Sequence, residues 1–203
     1  MFDEIKYPEP DPNRRPVADI WNERYASDQF LFGREPSLCV RNNFEFLRKG
    51  KCIDIAMGEG RNAVFLAQKG FNIEGVDASQ RAIQKAKILA AEKAVTVEAK
   101  VQNLDFFLMP LMRYDTIVMT YYKPVARFFS EIRRGLVHGG TFLLEANTVD
   151  QVRHAPNPLV ELGDCYKPNE ALHLLRDFQI LYYREIPDGT SYTVQAIALK
   201  NQK

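Results

Sequence analysis

The sequence has few of the residues that form disulfides or hold metal ions. It contains three cysteines and three histidines among 203 residues. The cysteines, Cys39, Cys52 and Cys165, are odd in number and far apart, which favours a reducing cytosol over a disulfide framework. None of the histidines has a partner at a metal-ligand spacing. The sequence therefore predicts no metal site.

Excess charge and long apolar runs are also absent. Lys plus Arg total 27 and Asp plus Glu 26, a net charge of +1, so neither nucleic acid nor an anionic membrane is indicated as the main partner. No apolar run approaches the roughly 20 residues that cross a bilayer. The polar, proline-rich start is unlike a secretory signal. We expect a cytoplasmic protein.

The chain reads as one α/β domain, residues 17–203, after an extended N-terminal lead-in, residues 1–16, in which no apolar period is sustained. Two helices, at about 17–28 and 37–48, open the domain. Short apolar strands then alternate with amphipathic helices, which is typical of a Rossmann-like, doubly wound sheet. The predicted strands are 51–57, 72–78, 96–101, 114–121, 141–147, 178–186 and 191–199, and the predicted helices between them are 61–70, 79–94 and 124–136.

The end of the chain departs from this alternation. The last two predicted strands are joined by the sequence PDGT, which is a hairpin signal. The sequence therefore predicts a seven-stranded sheet whose last strand is antiparallel. A nicotinamide-binding fold would continue with parallel strands instead.

A glycine loop follows the first predicted strand, in the sequence CIDIAMGEGRNA. Gly58, Gly60 and Ala63 fit the dinucleotide pattern G-x-G-x-x-(G/A), and Asp77 follows at about the expected distance. This pattern alone is compatible with several nucleotide-like cofactors.

Two acids narrow the choice of cofactor. Asp54 lies in the strand just before the loop, and Glu59 lies between the glycines. Carboxylates are unfavourable beside a pyrophosphate at low dielectric, whereas they favour an ammonium or a sulfonium group. These residues favour S-adenosylmethionine, with a nicotinamide cofactor as the disfavoured alternative.

The glycine loop and its acids resemble those of the class I S-adenosylmethionine-dependent methyltransferases. Their first motif, D-x-G-x-G-x-G, is similar to Asp54, Gly58 and Gly60 with Ala56 at the first glycine, and their second motif is an acid like Asp77. Several segments also look like the tellurite-resistance-protein-like group, which is related to thiopurine methyltransferases: WNERY, FGREPS, GEGRNA, GVDAS, GLVHGGTFLLEANTVDQ and PNPLVELGDCYKPNEALHLLRDFQILYYRE.

The resemblance implies a set of cofactor-binding residues. Asp77 would accept hydrogen bonds from the ribose hydroxyls, with a helix-capping role as the alternative. Asn103 and Leu104 would contact adenine, although for Asn103 a turn-forming role is equally compatible with the sequence. Arg24 is a candidate for the methionine carboxylate. The implied set is Asp54, Ala56, Gly58, Gly60, Asp77, Ala78, Asn103, Leu104, Thr120, Arg24 and Gly33.

The resemblance also implies a lid and an acceptor site. The lid would include Trp21, Tyr25 and Phe32, and packing on the core is the alternative for Trp21. Tyr121 and Tyr122 are the predicted residues that bind a small-molecule methyl acceptor, with a core position as the alternative for Tyr122.

The sequence shows no acid–base pair, so the catalytic residues are left unassigned. A thiol, or a selenium or tellurium oxyanion, would react without a base, and the pattern favours such a soft acceptor. The alternative function is an S-adenosylmethionine-binding protein without turnover, a sensor or partner subunit, which Ala56, Met57 and Asn103 favour. A nicotinamide oxidoreductase is the third hypothesis.

Overall fold

One seven-stranded sheet forms the centre of the molecule, which we describe from a computed structural model. The structure describes residues 15–187, 189 and 191–201, so the predicted lead-in lies almost wholly outside the described residues, as does part of the PDGT turn. The strands are β1 (Lys51–Ile55), β2 (Asn72–Asp77), β3 (Val97–Val101), β4 (Tyr114–Thr120), β5 (Leu136–Asn147), β6 (Gln179–Arg184) and β7 (Thr193–Leu199).

The strand order is β3-β2-β1-β4-β5-β7-β6. Strands β1 to β5 pair in parallel, and β7 is antiparallel to both β5 and β6. The predicted seven-stranded sheet with an antiparallel last strand is confirmed. The chain reverses its direction of winding between β1 and β4, and ligands of doubly wound sheets bind beyond the carboxyl ends of the strands at such a point.

Helices cover both faces of the sheet, because successive residues of a buried strand point to opposite faces. On one face Ile53 of β1 packs in a core with Phe129 and Ile132, and on the other face Cys52 packs with Leu66 and Ile83. The helices are α1 (Val17–Arg24), α2 (Leu38–Asn43), α3 (Arg61–Gln68), α4 (Gln80–Glu92), α5 (Phe128–Gly135), α6 (Val149–His154) and α7 (Glu170–Leu174). In the described part of the chain, no helix combines the length and the apolar character needed to traverse a bilayer.

The structure differs from the predicted elements in several places. Helix α1 ends at Arg24 rather than at 28, and α5 begins at Phe128 rather than at 124. The helix predicted at 37–48 is divided into α2 and a 3-10 turn at Phe44–Phe46. Strand β5 starts at Leu136, five residues before the predicted start, and its pairing with β4 is irregular there. Helices α6 and α7 have six and five residues, which is too short for an apolar period to be recognised in the sequence.

Candidate active site

A cavity of about 380 Å³ lies at the carboxyl ends of β1, β2 and β4. The glycine loop, the N-terminal segment and the segments after β4 and β5 form its wall. It brings together nine of the predicted site residues: Gly33, Ala56, Gly58, Asp77, Ala78, Leu104, Thr120, Tyr121 and Tyr122. Asp54, Gly60, Arg24 and Asn103 are not part of this wall.

The backbone of the glycine loop is left-handed at three residues, with φ of 56° at Ala56, 55° at Gly58 and 83° at Gly60. A Cβ atom at Gly60 would lie 2.8 Å from the Cβ of Ala86 in α4, so glycine allows α3 and α4 to approach each other there. Alanine adopts this conformation at a cost that glycine avoids. Ala56 therefore introduces strain where the motif has glycine.

Met57 contributes to the core and also to the wall of the cavity. Its side chain is buried and its sulfur occupies the position that a side chain on Gly75 of β2 would need. The backbone N–H of Met57 donates to the carbonyl of Val76 over 3.1 Å. The absence of a side chain on Gly75 thus makes room for methionine at position 57.

Asp77 lies at the end of β2 with its carboxylate held by two backbone groups. The N–H of Gly58 donates to Oδ2 and the N–H of Ser79 donates to Oδ1, each over 2.8 Å. Burial raises the pKa of Asp77, and these two N–H groups oppose the rise. Each carboxylate oxygen retains acceptor capacity, so the same carboxylate can order the loop and accept a ligand's hydroxyl groups.

Asp54, in the strand before the glycine loop, is a buried acid without side-chain hydrogen bonds in the described residues. Its side chain is fully buried, and neither carboxyl oxygen has a hydrogen-bond partner among the described residues. Burial, with the nearby charge of Asp77, raises the pKa of Asp54 to about 8. Arg61 and the backbone of Ala63, which is close without meeting hydrogen-bond geometry, partly oppose the rise. A cation near this carboxyl would stabilise its charged form.

Glu59 does not serve as a second free acid, in contrast to our expectation. Lys85 Nζ donates to Oε1 and the backbone N–H of Leu31 donates to Oε2, both over 2.8 Å. Lys85 also donates to the carbonyl of Gln29 over 2.7 Å. Glu59 therefore ties the glycine loop to the N-terminal segment and to α4, and its charge is neutralised by Lys85.

Aromatic residues of the N-terminal segment cover the cavity. Trp21 and Tyr25 stack with their ring centres 5.4 Å apart, and the ring of Phe32 lies 6.3 Å from that of Tyr25. Asn22 connects α1 to the start of α4, because its Oδ1 accepts from the hydroxyl of Ser79 over 2.8 Å. All three rings line the cavity, which is the position expected of a lid.

Of two arginines near the glycine loop, Arg61 lines the first cavity and the predicted Arg24 does not. Arg24 lies 3.6 Å from the carboxylate of Glu161, lies over the ring of Trp21 and lines an adjoining cavity. Arg61 lines the cavity at the glycine loop, donates to the carbonyl of Phe32 over 2.8 Å and has no carboxylate partner within the described residues. One signal for Arg61 was present in the sequence, its position directly after Gly60.

Asn103 and Leu104 take different positions after β3. Asn103 is exposed, and its Oδ1 accepts from the N–H of Asp105 over 2.9 Å, which corresponds to the turn-forming alternative. Leu104 lines both cavities. Thr120 lines the first cavity and its hydroxyl oxygen accepts from Asn62 over 3.0 Å, so its O–H remains available for donation.

Sequence analysis missed a polar pair that joins the exposed Tyr121 to the buried Glu145. The register of β4 and β5 places Thr120 beside Glu145, and the hydroxyl of the next residue, Tyr121, donates to Glu145 Oε1 over 3.2 Å. Glu145 Oε2 is buried without a hydrogen-bond partner in the described residues. Burial raises the pKa of both groups. Tyr121 has a φ of 55°, a strained conformation for a bulky residue that is often found at functional sites.

Polar side chains from the end of β5 and the segment after it complete the wall, and sequence analysis missed them too. Asn147, Gln151 and Asn157 line the cavity. His154 instead packs on Tyr192, with ring centres 5.4 Å apart. Among the residues that the structure describes, no group of three His, Cys, Asp or Glu side chains could hold a metal ion.

Comparisons with known proteins agree with this geometry. Residues 52–140 match a family model described as a methyltransferase domain. This match includes the glycine loop and Asp77, and it supports S-adenosylmethionine as the cofactor. A search among curated proteins gave no significant match.

Solved structures of methyltransferases share the fold. TehB from Haemophilus influenzae aligns with a TM-score of 0.67 and 18% identity over 91% of this chain and 67% of its own. An S-adenosylmethionine-dependent methyltransferase from Methanosarcina mazei aligns with a TM-score of 0.61 and 20% identity over 83% of this chain and 100% of its own. Geranyl diphosphate C-methyltransferase from Streptomyces coelicolor A3(2) was solved with S-adenosyl-L-homocysteine. It aligns with a TM-score of 0.64 and 14% identity over 79% of this chain and 78% of its own. The chain therefore has the class I methyltransferase fold, with a methyltransferase-domain segment at residues 52–140 and S-adenosylmethionine as its cofactor.

Proposed function

We propose that this protein transfers a methyl group from S-adenosylmethionine to a small-molecule acceptor. The observation that carries the proposal is the buried Asp54 carboxyl, which lacks a hydrogen-bond partner in the described residues and lies directly before the glycine loop. A buried acid needs a compensating group. Asp54 lies behind the cavity wall, so the positive charges of the cofactor would offset its charge across the glycine loop, whereas a pyrophosphate in the cavity would increase the cost.

The residues around the first cavity fit this cofactor. Asp77 would hold the ribose hydroxyls, Ala78 and Leu104 would contact the adenine, and Arg61 would meet the carboxylate of the methionine portion. When bound, the cofactor supplies an activated methyl group on a sulfonium sulfur, and that sulfur keeps the electron pair of the carbon–sulfur bond that breaks.

Tyr121 and Glu145 would remove the proton that the acceptor loses on methylation. The Tyr121 hydroxyl can take a proton from an acceptor O–H, N–H or S–H group while its own proton passes to Glu145, which ends as a neutral carboxylic acid. The charged carboxylate is the active form. A soft acceptor, such as a thiol or a selenium or tellurium oxyanion, reacts without this assistance and remains within the proposal.

Calorimetry can test cofactor binding directly. We expect S-adenosylmethionine and S-adenosylhomocysteine to bind and NADH not to bind. Asp77→Asn should weaken binding at least tenfold, because it replaces a charged acceptor, whereas Glu98→Gln on the exposed β3 should not. Binding of NADH in preference to the sulfonium cofactor would contradict the proposal.

Turnover can then be tested with thiophenol, selenite and tellurite as acceptors, by measuring the S-adenosylhomocysteine formed. We expect product with at least one of them. Retained cofactor binding with no turnover on this panel or on phenol and aniline would favour the non-catalytic binding protein instead.

A further inference from the structure

A second cavity, of about 950 Å³, adjoins the first. Six residues line both cavities: Val17, Trp21, Leu104, Tyr121, Tyr122 and Asp164. Molecules bound in the two cavities would therefore contact the same side chains. Tyr121, whose hydroxyl bonds to Glu145, is therefore accessible from both sides.

The rest of the second cavity is mostly apolar. Ile20, Phe107 and Phe128 line it, and three apolar side chains at its rim are well exposed, Phe106 and Leu108 at 78% and Val125 at 62%. A contiguous exposed apolar surface commonly marks a binding site. An apolar ligand would remove this surface from water, which favours binding.

The charged side chains of its wall are of both signs, so the wall has no strong excess of either charge: Arg24, Lys123 and Arg127 are basic, and Asp105, Glu131, Glu161 and Asp164 are acidic. Arg24 is paired with Glu161 over 3.6 Å, and Lys123 is paired with Glu170 over 2.9 Å. A charged ligand would have to compete with these pairs, whereas an uncharged ligand leaves them intact.

The volume also limits the occupant. Pockets for drug-sized ligands have about 300–1,000 Å³, and the second cavity is near the upper end of that range. A selenium or tellurium oxyanion would leave most of it unfilled and most of its rings uncovered.

We infer that the second cavity is the binding site of the methyl acceptor, and that this acceptor is an uncharged, apolar molecule with at least one ring. The inference rests on the proposed methyl transfer and narrows its substrate class. The acceptor lies against Trp21, Tyr121 and Tyr122 while the cofactor occupies the first cavity. Selenite and tellurite are therefore not the substrates of this site.

Trp21 is the only tryptophan of the chain and lies in the shared wall, so its fluorescence can report binding. The probe is 4-nitroanisole, an uncharged aromatic molecule that absorbs tryptophan emission, titrated with and without saturating S-adenosylhomocysteine. We expect saturable quenching whose dissociation constant changes less than threefold when S-adenosylhomocysteine is present. Selenite should cause no saturable quenching. Displacement of the probe by S-adenosylhomocysteine would overturn the inference, because the second cavity would then belong to the cofactor site.

A matched pair of variants identifies the cavity. Leu108→Asp places a charge on the rim and should weaken probe binding at least tenfold. Leu111→Asp changes a residue of the same segment that is 69% exposed and does not line the cavity, and it should have no effect. Unchanged S-adenosylhomocysteine binding in both variants shows that they are folded. Equal probe affinities in the two variants would overturn the inference while the proposed function stands, whereas loss of cofactor binding in the unmodified protein would contradict only the proposed function.

Discussion

Ala56 holds a strained, left-handed backbone conformation within the glycine loop. Its φ of 56° is left-handed, which costs an L-residue about 1–2 kcal/mol, while glycine loses about 0.4–1 kcal/mol more chain entropy on folding. We expect Ala56→Gly to raise the free energy of unfolding by about 0.5–1 kcal/mol, measured by urea denaturation. It should also tighten S-adenosylmethionine binding, measured by calorimetry.

Ala94 provides the control for this prediction. It is left-handed as well, with a φ of 52°, but it is exposed after α4 and does not line the cavity. Ala94→Gly should stabilise the protein to a similar extent and leave cofactor affinity unchanged. Weaker cofactor binding in Ala56→Gly would mean that the alanine methyl group contributes to the site.

Asp54 should make the stability of the ligand-free protein depend on pH. Its pKa rises to about 8 in the folded state, whereas the unfolded chain has the ordinary value near 4. Between these values the folded state holds the extra proton, so stability is fully present below about pH 4 and falls by up to about 1.4 kcal/mol per pH unit towards pH 8. Asp54→Asn should flatten this slope in urea denaturation between pH 5 and pH 8.

Glu98→Gln should leave the slope unchanged, because the pKa of Glu98 is lowered by its exposed contact with Lys100. The same reasoning predicts that cofactor binding near pH 7 releases a proton from Asp54, which calorimetry in buffers of different ionisation enthalpy can measure. An Asp54→Asn variant with the full slope would show that other acids, such as Glu145, cause it.

The sequence could predict the loop and Asp77 because their signals are local. It could not predict the Tyr121–Glu145 pair, since that pair depends on the register of two strands whose paired residues are distant in the chain. Arg24 and Arg61 illustrate the same limit: each has a suitable charge, and only the packing of α1 against Glu161 decides which one lines the cavity.

At the scale of elements, α4 forms one buried ion pair with the glycine loop and one exposed ion pair with the N-terminal segment. Lys85 and Glu59 are largely buried, whereas Arg34 and Glu92 are exposed. Lys85→Met leaves the Glu59 charge without its partner and should destabilise the protein by about 3 kcal/mol. Hydrogen exchange of the backbone at residues 29–33 should become faster.

Arg34→Met removes the exposed pair between the N-terminal segment and α4 and should cost less than about 1 kcal/mol. S-adenosylhomocysteine should also dissociate faster from the Lys85→Met variant than from Arg34→Met, because the segment carries Phe32 and Gly33 of the cavity wall. Similar losses in the two variants would show that burial of the first pair has no special importance.

Sequence patterns located the strands well because every strand except β3 contributes side chains to both apolar cores. They located the connections less well. Helices α6 and α7 contain one or two turns, and helix α7 starts after Asn169 in a left-handed conformation. Such short helices are determined by tertiary contacts rather than by their own periodicity.

At the scale of the whole molecule, the three cysteines can report global unfolding. Cys39, Cys52 and Cys165 are buried thiols. Burial raises the pKa of Cys165 to about 11 and raises those of the other two further. The thiolate is the reactive form, so we expect no reaction with a thiol reagent such as DTNB in the native state and reaction of all three in denaturant.

S-adenosylhomocysteine should slow this labelling, since a ligand at one hundred times its dissociation constant stabilises the folded state by about 2.7 kcal/mol. Fast labelling of a single cysteine under native conditions would instead reveal a local opening, and peptide mapping would identify it.

The position of β7 has a consequence for how the chain is made. β7 follows β6 in the sequence but lies between β5 and β6 in the sheet. During synthesis β6 leaves the ribosome before β7, which joins it to the rest of the sheet. Until β7 follows, β6 has no strand to pair with. Until β7 emerges, the edge of β5 is also open to pairing with other chains.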